Sequence, residues 1–187
     1  LILAPEGAAH QSINTLLIGM GQPGLAYFEP AYADEVALFM RWAFEYLQKP
    51  EGSSVYLRLS TRQIQQVTRE DTQWEEDALK GGYWLRKPAR GSQAAIAFTG
   101  AIAPEILSAY EQLVDDVPGL GVLNITSPDV LHREWSAQKA ARWTGQKGPV
   151  SHIETLLSEL APHARIVTAI DGSPGALSWI GGVKGMR

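Results

Sequence analysis

His10 stands three residues after Gly7 in PEGAAHQSINTLLIG, residues 5–19. Gly7, Ala8 and Ala9 let the backbone approach a ligand closely, and an imidazole beside them can donate or shuttle a proton near neutral pH. The competing reading is a loop histidine bonded to its own turn. A second group is Ser60, Thr61, Arg62 and Gln63, delivered at the end of an apolar run. A guanidinium there suits a carboxylate or a phosphate; alternatively it is a surface arginine paired with Glu70 or Asp71. Asp171 and Gly172 close a third apolar run, where a functional carboxylate competes with a plain Asp-Gly turn. His132, His152 and His163 share no metal-ligand spacing, and TGAIAP and GGVKG match neither the phosphate loop nor the dinucleotide fingerprint. There is no Gly-x-Ser-x-Gly elbow for a serine hydrolase.

Elements must position these groups. LAYFEP, residues 25–30, is short, aromatic and bounded by Gly24 and Pro30, which predicts a strand. In the segment that follows, Val36, Phe39, Met40, Ala43, Phe44 and Leu47 recur at helical spacing. Asp34 and Glu35 fall in the first turn of that helix, where its dipole favours acids, and Pro50 and Gly52 end it. SVYLRLST, residues 54–61, alternates as a strand and carries Arg62 to its carboxyl end. Residues 66–92 are polar and read as a linker, with GGYWL a short strand inside it.

Gly91 and Ser92 open a second unit. AAIAFTG is a buried strand, and APEILSAYEQLV a helix with Pro104 tolerated in its first turn. GVLNIT is a strand and PDVLHREW the start of a helix. VSHIETLLSEL is a helix with Ser151 and Glu154 as a capping box, and RIVTAIDG is a third strand. Strands alternating with helices predict an α/β fold with a mostly parallel sheet, and in such sheets ligands bind at the carboxyl ends of the strands.

Composition narrows the function. The chain has 187 residues, 45% of them hydrophobic and 19% charged, with a net charge of −4. The low charged fraction hints at surface buried against another subunit or further chain. Nothing basic is arranged to neutralise phosphates, so no nucleic-acid partner is expected. Cysteine is absent, which excludes disulfides, thiolate metal sites and cysteine nucleophiles and fits a cytoplasmic protein. No apolar run reaches the roughly 20 residues of a membrane span. The ends LILAPEG and GGVKGMR read as those of a piece of a longer chain.

EGAAHQS followed by a helix, YFEPAYADEVALFM, LRLSTRQ and GGYWL together resemble the thiamine-diphosphate transketolase superfamily, in the same order as there. PAYADEVALFM looks most like the homodimeric pyruvate dehydrogenase branch. The resemblance implies the end of a pyrimidine-binding domain over residues 1–75, a linker over 76–92, and a transketolase-type carboxyl-terminal domain over 93–187. It implies an enzyme using thiamine diphosphate and magnesium, with the aminopyrimidine glutamate and the metal ligands outside this chain. Pyruvate or another 2-keto acid would be decarboxylated, and the two-carbon unit passed to a lipoyl-bearing acyltransferase. A homodimer is implied as well. Residue by residue, His10 falls on the active-site histidine of the Gly-x-x-His segment and Glu6 on an acidic substrate-facing position. Arg62 falls on the arginine of the Ser-Arg-Gln segment, which holds sugar phosphate in transketolases. The family leaves two alternatives open, a ketol-transferring enzyme and a non-catalytic module of the same fold. Ala8 and Ala9 depart from decarboxylating relatives that carry more histidines in this loop.

Overall fold

The computed structural model describes residues 12–184. It is a mixed α/β structure with a two-stranded parallel sheet and a four-stranded, mostly parallel sheet. After the short helix α1 (Thr15–Gly21) comes β1 (Leu25–Phe28), whose Tyr27 and Phe28 are fully buried. Helix α2 (Ala33–Tyr46) crosses back, and β2 (Ser54–Leu57) pairs parallel to β1 in the register Leu25↔Ser54 to Phe28↔Leu57. A parallel pair demands such a crossover.

The helix α2 is apolar almost all round, so its period is easier to read than its phase. Leu38, Phe39 and Ala43 face the core, with Trp42 and Tyr46 packed beside them. Phe39 stacks on Phe28 at 4.6 Å between ring centres. Met40, Phe44 and Leu47, expected on the apolar stripe, instead point outward.

A connector leads to α3 (Gln73–Leu79) and β3 (Gly82–Arg86). The strand expected in GGYWL is therefore present, and it forms the antiparallel edge of the second sheet. That sheet continues with β4 (Ser92–Phe98), α4 (Ala103–Leu113), β5 (Gly121–Ile125), α5 (Pro128–Trp143), α6 (His152–Leu157), β6 (Leu160–Ala169) and α7 (Gly175–Ser178). Its strand order is β3-β5-β4-β6, with β4 parallel to both β5 and β6.

The strand β6 begins earlier than RIVTAIDG predicts. Ser92 pairs with Leu160 and Ala94 with Arg165, so the irregular register absorbs Pro162 and His163. Pro is tolerated in a strand at such a bulge.

Both faces of the four-stranded sheet are covered. One face packs Ile96, Phe98 and Val122 against Phe28, Phe39 and Ile106. The other packs Ala95, Leu123 and Ile125 against Leu131, Leu157 and Leu177. The β1–β2 layer and α2 thus share a core with the second sheet, as parallel strands require cover on both sides.

Candidate active-site cleft

The carboxyl ends of β1 and β2 open onto a cleft of about 360 Å³ beside the start of α2. Pro30, Ala31, Tyr32 and Val36 wall one side, and Ser60, Arg62, Gln63 and Gln66 the other. Arg62 is the only charged side chain among them. Its Nη2 donates to Glu105 Oε1 at 2.5 Å and its Nη1 to the Ala101 carbonyl at 3.4 Å. That ion pair joins the end of β2 to the first turn of α4. The Arg62 hydrogen bond holds the Glu105 carboxyl below its ordinary range, and the same bond raises the guanidinium. Both side chains reach solvent, so the pair is weak and exchangeable. Neither Glu70 nor Asp71 is the partner, which corrects that sequence expectation. The connector carries those two acids toward α3 instead.

A second group of charges lies deeper. Glu29 follows β1 directly and is 2% exposed. It accepts hydrogen bonds from the Tyr27 hydroxyl and from Arg58 Nη1, and Arg58 Nη2 donates to the Asp171 carbonyl at 2.9 Å. The location follows from topology. The chain leaves β4 for β5 on one side and returns on the other as β6, so the crevice of this open sheet falls at the carboxyl ends of β4 and β6. Thr99–Gly100 and Ile170–Asp171 form its rims, and the Glu29–Arg58 pair fills it. Gly100 has φ +72°, and a Cβ there would lie 2.9 Å from Glu29 Cγ and nearer still to Oε1. Glycine is required on both counts. Burial pushes the Glu29 carboxyl up, while Arg58 and the Tyr27 bond oppose the rise.

The third group is centred on Glu35, which is fully buried in the first turn of α2. Its Oε2 accepts from the N–H of Ala31 at 2.6 Å and of Tyr32 at 3.3 Å. Its Oε1 accepts from Tyr83 Oη at 2.5 Å and Asn124 Nδ2 at 2.7 Å. Arg69, from the connector, donates to Asp34 at 2.7 Å and to Tyr83 Oη at 2.8 Å. Its guanidinium also lies over the Trp74 ring at 4.1 Å, a favourable cation–π distance. Burial raises the Glu35 carboxyl, and the Tyr83 and Ala31 hydrogen bonds and Arg69 counter it. The network fixes Ala31 and Tyr32, which wall the cleft.

The other candidates separate. His10 and Glu6 lie outside the described residues. Asp171 sits in a bend after β6, and its carbonyl serves Arg58. His132 stacks edge-on to Trp179 at 5.1 Å, and burial lowers its pKa. His152 Nε2 is 2.8 Å from the carbonyl of Gly82, the first residue of the edge strand. Among the described residues no three His, Asp or Glu side chains gather as a metal-ligand set. The cleft, with one cation already paired, does not fit a metal-bound diphosphate either.

Glu29, Arg58, Arg69, Tyr83 and Asn124 were not singled out from the sequence. Their one visible signal is position, since Glu29 and Arg58 follow strands.

No protein-family model matches the chain. It is 29% identical over 167 residues to the pyruvate dehydrogenase E1 component of Mycolicibacterium smegmatis, covering 85% of this chain and 18% of that protein. Among solved structures, a transketolase from Leishmania mexicana superposes with a TM-score of 0.66 at 14% identity, over 91% of this chain and 21% of that one. The fold is that of the transketolases. A split-gene transketolase, described as an inactive β4 tetramer, shares this fold over 95% of the chain and 59% of its own, with a TM-score of 0.57 and 24% identity. The chain spans less than a fifth of the length of the curated relatives it matches. In this transketolase-like fold the Arg62 cleft and the filled crevice are adjoining sites at one end of the strands.

Proposed function

We propose that the chain is part of a thiamine-diphosphate- and magnesium-dependent 2-oxoacid dehydrogenase of the pyruvate dehydrogenase type. Residues 1–75 are the end of the pyrimidine-binding domain, 76–92 the linker, whose β3 joins the edge of the second sheet, and 93–187 the carboxyl-terminal domain. The observation that carries this reading is the likeness to a pyruvate dehydrogenase E1 component along 85% of the chain. Magnesium and the diphosphate would be held outside the described residues, which gather no metal-ligand set, and the resemblance puts the aminopyrimidine glutamate outside this chain. Bound thiamine diphosphate would supply the electron sink for decarboxylation.

This chain's own part is to bind and orient the keto acid. Arg62 can exchange the exposed Glu105 carboxylate for that of the substrate, since solvent-exposed ion pairs are nearly isoenergetic. His10 moves a proton or stabilises developing oxyanion charge at the substrate carbonyl, and Glu6 takes the acidic substrate-facing role that the resemblance gives it. The two-carbon unit then passes to a lipoyl-bearing acyltransferase. The working unit is a cytoplasmic homodimer.

The test uses the intact protein. Pyruvate should drive reduction of an artificial electron acceptor, and His10→Ala should lower turnover by roughly 10²–10⁴-fold, the usual range for a positioned acid–base group. Ketol transfer between sugar phosphates, with no pyruvate-dependent reduction, would replace this reading by the transketolase one. Neither activity would make the protein a non-catalytic module.

A further inference from the structure

A helix that is apolar all round is normally buried on every side. The helix α2 is apolar almost all round, yet the fold covers only one side of it. Leu38, Phe39 and Ala43 are buried, with Trp42 and Tyr46 packed beside them. On the other side Met40, Phe44 and Leu47 are 42%, 62% and 47% exposed, and Ala37 is exposed in line with them. Single exposed apolar residues are ordinary. These four are not scattered. Ala37, Met40, Phe44 and Leu47 follow one another at steps of three, four and three, the spacing of a seam by which one α-helix packs on another. Leu47 keeps the line, because its N–H still donates to the Ala43 carbonyl at 2.9 Å.

The seam is matched to itself. Two copies of α2, laid antiparallel about a twofold axis level with Trp42, set Ala37 against Leu47 of the second copy and Met40 against Phe44 of the second copy. The small Ala37 side chain leaves room for Leu47. The arrangement also brings the positive end of each helix dipole beside the negative end of the other. Arg41 and Glu45, both exposed along one flank of the seam, fit the same direction. On this helix Asp34 and Glu35 are paired with Arg69, whereas Arg41 and Glu45 form no ion pair among the described residues. In the antiparallel arrangement Arg41 lies two residues along the axis, about 3 Å, from Glu45 of the second copy. A parallel one would set Arg41 against Arg41 and Glu45 against Glu45. Exposed ion pairs contribute little strength, so these two fix direction. A contact closed by a twofold axis stops at two copies.

We infer that the outer face of α2 docks a second copy of this chain as an antiparallel helix pair. The inference rests on the homodimer of the proposed function, to which it adds the joining face, and on no part of the proposed reaction.

Sedimentation velocity of the chain over a range of concentrations tests this. A seam of about three turns is at the weak end of protein contacts, so a dissociation constant of roughly 10–500 μM is expected. Phe44→Glu should weaken association about tenfold or more, and should leave the melting temperature of the dilute, monomeric chain unchanged. Trp143→Glu, at a residue 80% exposed outside this face, should leave association unchanged. Arg41→Glu and Glu45→Arg should each weaken it, and the two together should restore it. The chain has no cysteine, so Met40→Cys and Phe44→Cys chains mixed under oxidising conditions should form the mixed disulfide faster than either links to itself. A chain that stays monomeric up to about 1 mM overturns the inference. A dimer that survives Phe44→Glu also overturns it, and leaves the homodimer of the proposed function standing on another face. Failure of the double charge swap to restore association, or mixed linking no faster than self-linking, overturns the antiparallel pairing and the inference with it.

Discussion

Glu35→Ala should be among the most damaging single changes in the chain. The carboxylate accepts from Ala31, Tyr32, Tyr83 and Asn124, and the partners contributing side chains are themselves buried. Each stranded donor costs about 1–3 kcal/mol. The losses do not simply add, because Asn124 Nδ2 keeps a 3.1 Å bond to Tyr83 Oη and Arg69 keeps Asp34. Arg69 Nη2 also lies 3.5 Å from Glu35 Oε1, and breaking such a buried charged pair by removing one partner costs about 3–5 kcal/mol, so that range is adopted. A loss of about 4 kcal/mol is a large share of the roughly 5–15 kcal/mol that holds a domain folded. With a urea slope of about 2.5 kcal/mol/M, the midpoint should fall by about 1.6 M at unchanged slope. Glu45→Ala, on the exposed side of the same helix, serves as control and should stay within about 0.5 kcal/mol. A Glu35→Ala loss below about 1.5 kcal/mol would refute the claim that the network locks α2 to the second sheet.

Other perturbations separate further parts of the argument. Gly100→Ala should cost about 2–4 kcal/mol, from about 1–2 for the left-handed backbone plus crowding of Glu29. Gly91→Ala, with φ +79° and open space around it, should lose only the backbone part, and equal urea midpoints for the two would discard the crowding. For His132, burial lowers the folded pKa, so the unfolded chain takes up the proton first, near pH 6.5. Stability should therefore decline as pH falls below about 6.5 and level off below the folded pKa. His132→Phe should flatten that part of a melting-temperature profile, and a profile of unchanged slope would count against it.

The elements were legible where local chemistry dictates them. Ser151 and Glu154 form the capping box their spacing predicts, with Ser151 N–H donating to Glu154 at 3.0 Å. Pro104 sits in the first turn of α4, and the apolar runs at β4 and β5 are buried strands. What escaped was phase and pairing. On α2 the apolar residues encircle the helix, so spacing alone could not show that Phe39 faces in while Phe44 faces out. Glu35 was legible as a first-turn acid, and its dipole role hid its burial. Charged residues are exposed by default, and the partners that bury this one lie 48 and 89 residues away. The Arg62 pair with Glu105 spans 43 residues and was equally invisible. Nearby Glu70 and Asp71 looked like better partners only because the sequence lists them close by.

The segment between β2 and α3 is polar in composition, yet two buried or half-buried arginines fasten it near its ends. Arg58 is tied to Glu29 and Asp171, and Arg69 to Asp34 and Tyr83. Each anchor belongs to a different part of the fold, so the length of chain between anchors is fixed. One residue added or removed would pull a guanidinium from its seat. For anyone wishing to splice in a tag or move the termini by circular permutation, this stretch is the wrong place despite its look of a linker. The loop over residues 144–150, exposed along most of its length after the protruding Trp143, is where the chain can be opened.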